Sequence, residues 1–298
     1  MPTGTTTLAT MTSATTPVDA TAAKPLIFDS QSLPPFPAIA LKALKLMAGT
    51  DTSLLELCNL IRSDSAFSAE ILKIANSPLV AFSRNVTSVM QASMLLGFQR
   101  LRNLVITIGL KGYLKGSSMP VMRLCWRHSV ACALIAERAA NWSLLDKDFA
   151  YAAGILHDIG RIALATLMPV PYAAVIERGA DQPQDLLQSE RDLCGIDHCQ
   201  AGRSLVSAWN LPDAFLDIAA RHHATDHTTD HQLPGAALLP PSCALADALG
   251  FAVVSCRVIP VYSEILARFP EAARKRFPPD AKELASEIDS EIKLLESA

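Results

Sequence analysis

The stretch Gly154-Ile-Leu-His-Asp-Ile-Gly-Arg161 sets a histidine directly before an aspartate, between an apolar run and a glycine. Neutral imidazole and carboxylate are donors that a divalent transition metal takes from a protein. The apolar residues on both sides recur at helical spacing, which predicts one helix over residues 147–166 carrying the pair. Adjacent helical positions project about 100° apart, so His157 and Asp158 would address neighbouring parts of a bundle interior, and Asp158 could offer its oxygens to two ions.

Helical periodicity dominates the rest of the chain, and no alternating β-branched run with hairpin turns is found, so the expected fold is all-α. Leu33-Pro-Pro-Phe-Pro37 should be extended, with Pro37 in the first turn of a helix carrying Ile39, Leu41, Leu44, Leu46 and Met47. Ser53 with Glu56, and Ser88 with Gln91, have the spacing of capping boxes. A helix is expected over residues 65–75, and Gly97 marks a turn. Beyond Pro120, helices are expected near residues 121–140, 147–166, 184–192, 197–209, 212–223 and 241–250. A last one, near 281–296, opens at Asp280 and carries a stripe of Leu284, Ile288, Ile292 and Leu295 that either closes the core or binds a partner. Asp146 reads as an N-cap, and Trp126, Trp142 and Trp209 as packing residues.

The His-Asp pair belongs to a longer series. His128 precedes it, His198 and the pair His222-His223 follow, and Asp247 comes last. A lone histidine is more often a core or surface residue than a ligand, but five histidines and two aspartates suffice for a two-ion site. A site that activates water also needs open coordination positions. His227 and His231, in a polar stretch with Asp226 and Asp230, read instead as part of a surface loop.

Composition narrows the setting. In 298 residues, 50% hydrophobic and 18% charged, there is enough apolar material for a sizeable core, in two ordinary domains or one large one. With 26 basic and 29 acidic side chains the net charge is -3, which gives no general attraction to nucleic acid or an anionic membrane. Phe98-Gln-Arg-Leu-Arg-Asn-Leu104 has a helix-turn-helix setting, but Arg100 and Arg102 lack a wider basic patch, so it reads as an ordinary helix hairpin. No apolar run reaches the ~18 residues of a membrane span. Residues 1–27 lack a signal-peptide core and read as a disordered tail. Seven cysteines without a C-x-x-C pair suit a reducing cytoplasm, most of them as small buried residues.

The ordered set H…HD…H…HH…D resembles the HD superfamily of helical metal-dependent phosphohydrolases, and in pattern the HD-GYP phosphodiesterases. The first half resembles a narrower group. Leu33-Pro-Pro-Phe-Pro37, the run from Ile61 to Ser77, Val86-Thr-Ser-Val89 and the run from Leu95 to Leu104 are similar to the HDOD (HD-related output domain) family, over roughly residues 30–250.

That resemblance implies an N-terminal helical bundle, residues 28–118, packed on an HD-like bundle, residues 119–252, with a C-terminal helical extension over 253–298. It implies a bacterial signalling output protein that works by binding partner signalling proteins or a phosphate-containing or nucleotide ligand. The alternative is an active phosphohydrolase or cyclic (di)nucleotide phosphodiesterase. It further implies one or two divalent ions, Fe, Mn, Zn or Mg, or a pocket that has lost them. His128, His157, Asp158 and Asp247 would hold one ion, and Asp158, His198, His222 and His223 the other. Asp158 would bridge them and, in an enzyme, the attacking hydroxide would sit near it. The chain departs from the hydrolase pattern at Arg161, where lysine is usual, and at Ala224, where glutamate is usual; Gly-Tyr-Pro is replaced by Thr225-Asp-His-Thr-Thr-Asp-His231. The planar fork of Arg161 would keep a phosphate contact with altered geometry.

Overall fold

The computed structural model describes residues 28–29, 32–33, 35–45, 54–77, 86–114, 119–181, 186–223, 235–254 and 261–297. No β-strand occurs among them, and no helix among them is long and apolar enough to cross a membrane. The expected tail at 1–27, Leu46, Met47, the cap at Ser53, and the stretch with His227 and His231 lie outside the described residues.

The first bundle comprises α1 (Ala38–Lys45), α2 (Leu54–Arg62), α3 (Ser65–Ala75) and α4 (Val89–Leu114). Residues 35–37 lead into α1 without regular structure, and the Pro37 carbonyl accepts the Leu41 N–H at 3.0 Å. Asp64 caps α3 by accepting from the N–H groups of Ala66 and Phe67. At the start of α4 the Ser88 hydroxyl accepts the Gln91 N–H at 3.1 Å, and the Gln91 side chain reaches back to the Thr87 N–H at 3.0 Å. This is a capping box closed one residue early. The expected turn at Gly97 is a break within α4 at φ 77°, a conformation glycine adopts without strain.

The second bundle is built around α5 (Pro120–Trp142), which begins with a proline and is buried along most of its length. Its alanines admit α6 (Lys147–Leu156) so closely that a Cβ on Gly154 would fall 2.4 Å from the Ala133 Cα. Asp146 caps α6, as expected, through the N–H groups of Asp148 and Phe149. The single helix expected over 147–166 is two. Asp158, at φ −100° and ψ 16°, interrupts it, and α7 (Ile159–Leu167) starts immediately after. The apolar periodicity continues through both helices, so it carries no trace of the break.

α8 (Pro169–Asp181) was not expected, because two prolines that read as breakers sit in its first turn, where a missing N–H costs nothing. There follow α9 (Leu186–Cys194), α10 (His198–Ala208), α11 (Asp213–Arg221) and α12 (Leu239–Ala246). A π-helical turn, Asp247–Phe251, extends α12 and ends at Gly250 with φ 93°.

The two bundles share a continuous core. Phe36 stacks on Trp209 at 4.8 Å with Tyr113 against both rings, and the hydroxyls of Thr107 and Tyr151 meet at 2.7 Å. After the short helices α13 (Tyr262–Leu266) and α14 (Glu271–Arg274), α15 (Ala281–Ser297) lies against α5. The stripe of Leu284, Ile288, Ile292 and Leu295 is buried, so it closes the core. Arg127 pairs with Asp289 and Glu296, Arg138 with Glu287 and Glu291, and Lys111 donates to the carbonyls of Leu295 and Glu296. Partly exposed ion pairs contribute about 0–1 kcal/mol each, so the apolar stripe carries most of the docking.

Gly160 in α7 faces α10 at a distance that admits no side chain: a Cβ would lie 1.8 Å from the His198 carbonyl oxygen and 2.6 Å from the Gly202 nitrogen. Gly160→Ala should therefore lower the unfolding free energy by about 3 kcal/mol, the upper end for overpacking. Gly112→Ala, with nothing within 4 Å of the added carbon, should raise it by up to about 1 kcal/mol. Urea unfolding of both variants measures the contrast.

Candidate metal centre

Asp158 lies at the junction of α6 and α7 and is 1% exposed. Four imidazoles surround it. His128 comes from the middle of α5, His157 from the end of α6, His198 from the first position of α10, and His222 from the end of α11. All four are buried.

The orientation of each ring follows from what its Nδ1 meets. His157 Nδ1 is 2.8 Å from the Gly154 carbonyl oxygen. His222 Nδ1 is 3.2 Å from the carbonyls of Ile218 and Ala219. His128 Nδ1 is 3.2 Å from the Phe251 carbonyl and 3.2 Å from Asp247 Oδ1. His198 Nδ1 is 2.6 Å from Glu190 Oε2, which also accepts the His198 backbone N–H at 2.8 Å. Carbonyls and carboxylates accept, so each neutral ring carries its proton on Nδ1 and turns the lone pair of Nε2 inward. The inward atoms divide between the oxygens of Asp158. His222 and His198 approach Oδ1 at 3.0 and 3.3 Å, while His128 and His157 approach Oδ2 at 3.5 and 3.7 Å.

Arg161 completes the charge balance. One turn along α7, its Nε donates to Asp158 Oδ2 at 2.6 Å, and the residue is 5% exposed. The sequence suggested a phosphate contact for this guanidinium; the structure places it inside the centre, against the carboxylate. Burial opposes ionisation of Asp158, but the Arg161 guanidinium outweighs it and holds the acid well below the usual carboxylate range. Burial pushes His157 down to about 3 and His198 well below its ordinary value, the latter helped by the Arg161 charge. Both rings are neutral and available as donors at neutral pH. Burial also pushes Glu190 up, to about 7, against the opposing pull of Arg161.

Among the described residues, potential ligand atoms converge in two groups: Asp158, His198, His222 and His223; and His128, His157 and Cys243. His223 forms the exposed edge of the first, its ring centre 4.3 Å from that of His222 and 5.0 Å from that of His198. Asp247, grouped with His128 and His157 by sequence, reaches the outward Nδ1 of His128, and Cys243 stands on the inward side, its Sγ 3.5 Å from His128 Nε2.

A cation fits the first group. His198 Nε2 and His222 Nε2 are 3.2 Å apart and both face Asp158 Oδ1. Three lone-pair acceptors so close repel one another unless a proton or metal ion sits among them. Zn–N bonds of 2.0–2.1 Å in a tetrahedral site imply ligand-to-ligand edges of about 3.3 Å, close to the spacings found.

Glu190 and Cys243 were not recognised from the sequence. Glu190 looks like one more charge on a polar helix, and Cys243 like a small apolar residue; only the turn that brings α9 to the start of α10, and the packing of α12 on α5, put them at the centre.

The sequence model of the HDOD domain matches residues 33–225. The fold is similar to an HDOD domain protein of unknown function from Geobacter sulfurreducens, 24% identical, with a TM-score of 0.74 over 89% of this chain and 92% of that one. It is also similar to a candidate signal-transduction protein from Marinobacter aquaeolei VT8, 23% identical, with a TM-score of 0.64 over 89% of this chain and 58% of that one. An uncharacterized protein of Treponema pallidum (strain Nichols) is 23% identical over 207 residues, 68% of this chain. The matched region spans 40% of that relative's length.

Arg161→Met removes the cation beside a buried carboxylate. The metal-free variant should be less stable by about 3–5 kcal/mol, the cost of breaking a buried ion pair from one side. Denaturant unfolding in the presence of chelator measures it.

Proposed function

The chain belongs to the HDOD family, and on that premise we propose that it is a regulatory output module of bacterial signalling, which binds partner proteins and holds one divalent ion at Asp158, His198, His222 and His223. Its likeness to the Marinobacter aquaeolei candidate signal-transduction protein supports the signalling setting.

The observation that carries the reading is the completeness of the donor set. Asp158 Oδ1, His198 Nε2 and His222 Nε2 stand 3.0–3.3 Å from one another, and His223 offers a fourth donor from the exposed edge. Four protein ligands fill a tetrahedral ion, as in structural zinc sites, whereas hydrolytic centres keep a position open for water. Glu190 orients His198, and a carboxylate or backbone-carbonyl partner of this kind typically contributes 10- to 100-fold in metal affinity, about 1–3 kcal/mol. When bound, the ion supplies a fixed positive charge that ties the ends of α6, α10 and α11 together. Arg161 holds the other side of Asp158, and the surrounding helices exclude water from both. A site of this kind can hold the bundle in one conformation and make that conformation depend on metal supply.

A metal-dependent phosphohydrolase or cyclic dinucleotide phosphodiesterase is the second reading. It is favoured by His128 and His157, which present lone pairs to the other oxygen of Asp158.

Metal analysis of the purified protein, with turnover assays on a generic phosphodiester and on cyclic dinucleotides, separates the two. The regulatory reading expects bound metal that is lost in His198→Ala and His222→Ala, and no turnover. Turnover that disappears in both His157→Ala and Asp158→Ala would overturn it in favour of the enzyme.

A further inference from the structure

We propose that His128, His157 and Cys243, closed by Asp158 Oδ2, form a second metal site with a thiolate ligand, selective for a thiophilic ion of the zinc class. The sequence resemblance already implies an ion at His128, His157 and Asp158 with Asp247; what is new is Cys243 in place of Asp247 as the fourth ligand, at a site that shares only Asp158 with the four-donor site above.

Three observations converge on it. The Nε2 of His157, on a residue with no solvent exposure, has no hydrogen-bond partner. An unpartnered donor or acceptor in the interior costs about 1–3 kcal/mol, and an ion would satisfy it. Second, the ligand atoms of His128, His157 and Cys243 lie within 4.8 Å of one another, with Cys243 Sγ 3.5 Å from His128 Nε2. Bonds of about 2.3 Å to sulfur and 2.0–2.1 Å to nitrogen give a tetrahedral N-to-S edge of about 3.5 Å. A thiol hydrogen bond at that distance would satisfy His128 alone and leave His157 orphaned.

The third observation is how α12 presents its two polar side chains. Cys243 and Asp247 are four residues apart and so share one face. Asp247 meets the outward Nδ1 of His128, where it fixes the ring, and Cys243 meets the inward Nε2, where a ligand is needed. Asp247 is thereby a positioning residue.

Chemistry then selects the ion. Asp158 already faces the guanidinium of Arg161 and the imidazoles at its Oδ1, so it cannot alone neutralise another divalent charge. A thiolate supplies the missing negative charge, and binding would release the thiol proton to solvent. Sulfur and imidazole favour Zn(II), Co(II) or Cd(II) over Mg(II) or Ca(II), which take oxygen ligands.

Cobalt(II) titration of the full, metal-stripped chain tests this, because a cobalt–thiolate bond produces a near-ultraviolet charge-transfer band. The wild type should take up two ions and show the band, and zinc should abolish it by displacement. Cys243→Ser, nearly isosteric, should lose the band and one ion while keeping a native circular dichroism spectrum. His198→Ala should lose the other ion and keep the band. A wild-type protein that binds cobalt without the band, or a band that survives in Cys243→Ser, would overturn the proposal. Failure of the four-donor site would show separately, as an unchanged ion count in His198→Ala.

Discussion

A carboxylate removed from water carries a desolvation penalty of several kcal/mol, and Asp158 is 1% exposed. Its neighbours are arranged to offset that penalty. Arg161 provides a full positive charge one helical turn away, and the N-terminus of α7, which begins at the next residue, adds partial positive charge from its free N–H groups. Four imidazoles turn their lone pairs toward the same carboxylate. Neutral imidazole lone pairs do not stabilise an anion, so this last arrangement calls for a proton or a metal ion between them.

The outer contacts hold that geometry. Glu190 fixes His198 twice, through the ring and through the backbone, so the start of α10 and the ring orientation are set together. The π-helical turn after α12 places the Phe251 carbonyl on His128, and the guanidinium of Arg127 lies 5.8 Å from the centre of the Phe251 ring. Arg127 is also gripped by Asp289 and Glu296, so α15 braces the turn that holds His128. Residues well outside the HDOD match at 33–225 thus support the centre within it.

Much of this was legible in the sequence because donor chemistry survives in residue type. His128, His157, Asp158, His198, His222 and His223 could be picked out as an ordered series, and the structure brings all six together. Helix type was legible for a similar reason, since apolar period reports burial. What stayed hidden depends on geometry that residue type does not record. The interruption at Asp158 leaves the apolar period intact, and α8 is masked by two prolines acceptable only in a first turn. Asp247 lies beside His128, but on its outward Nδ1, because the nitrogen it meets is decided by the turn of α12 into the π-helical segment. Glu190 and Cys243 were invisible because a lone glutamate or cysteine on a helix has no sequence signature until its neighbour is known.

The account depends on an ion lying between His198 and His222. Crystals grown with zinc and measured at the zinc absorption edge test this directly. The account predicts an anomalous peak about 2.0–2.1 Å from Asp158 Oδ1, His198 Nε2 and His222 Nε2. The same three atoms at their present spacing with no peak among them would contradict it.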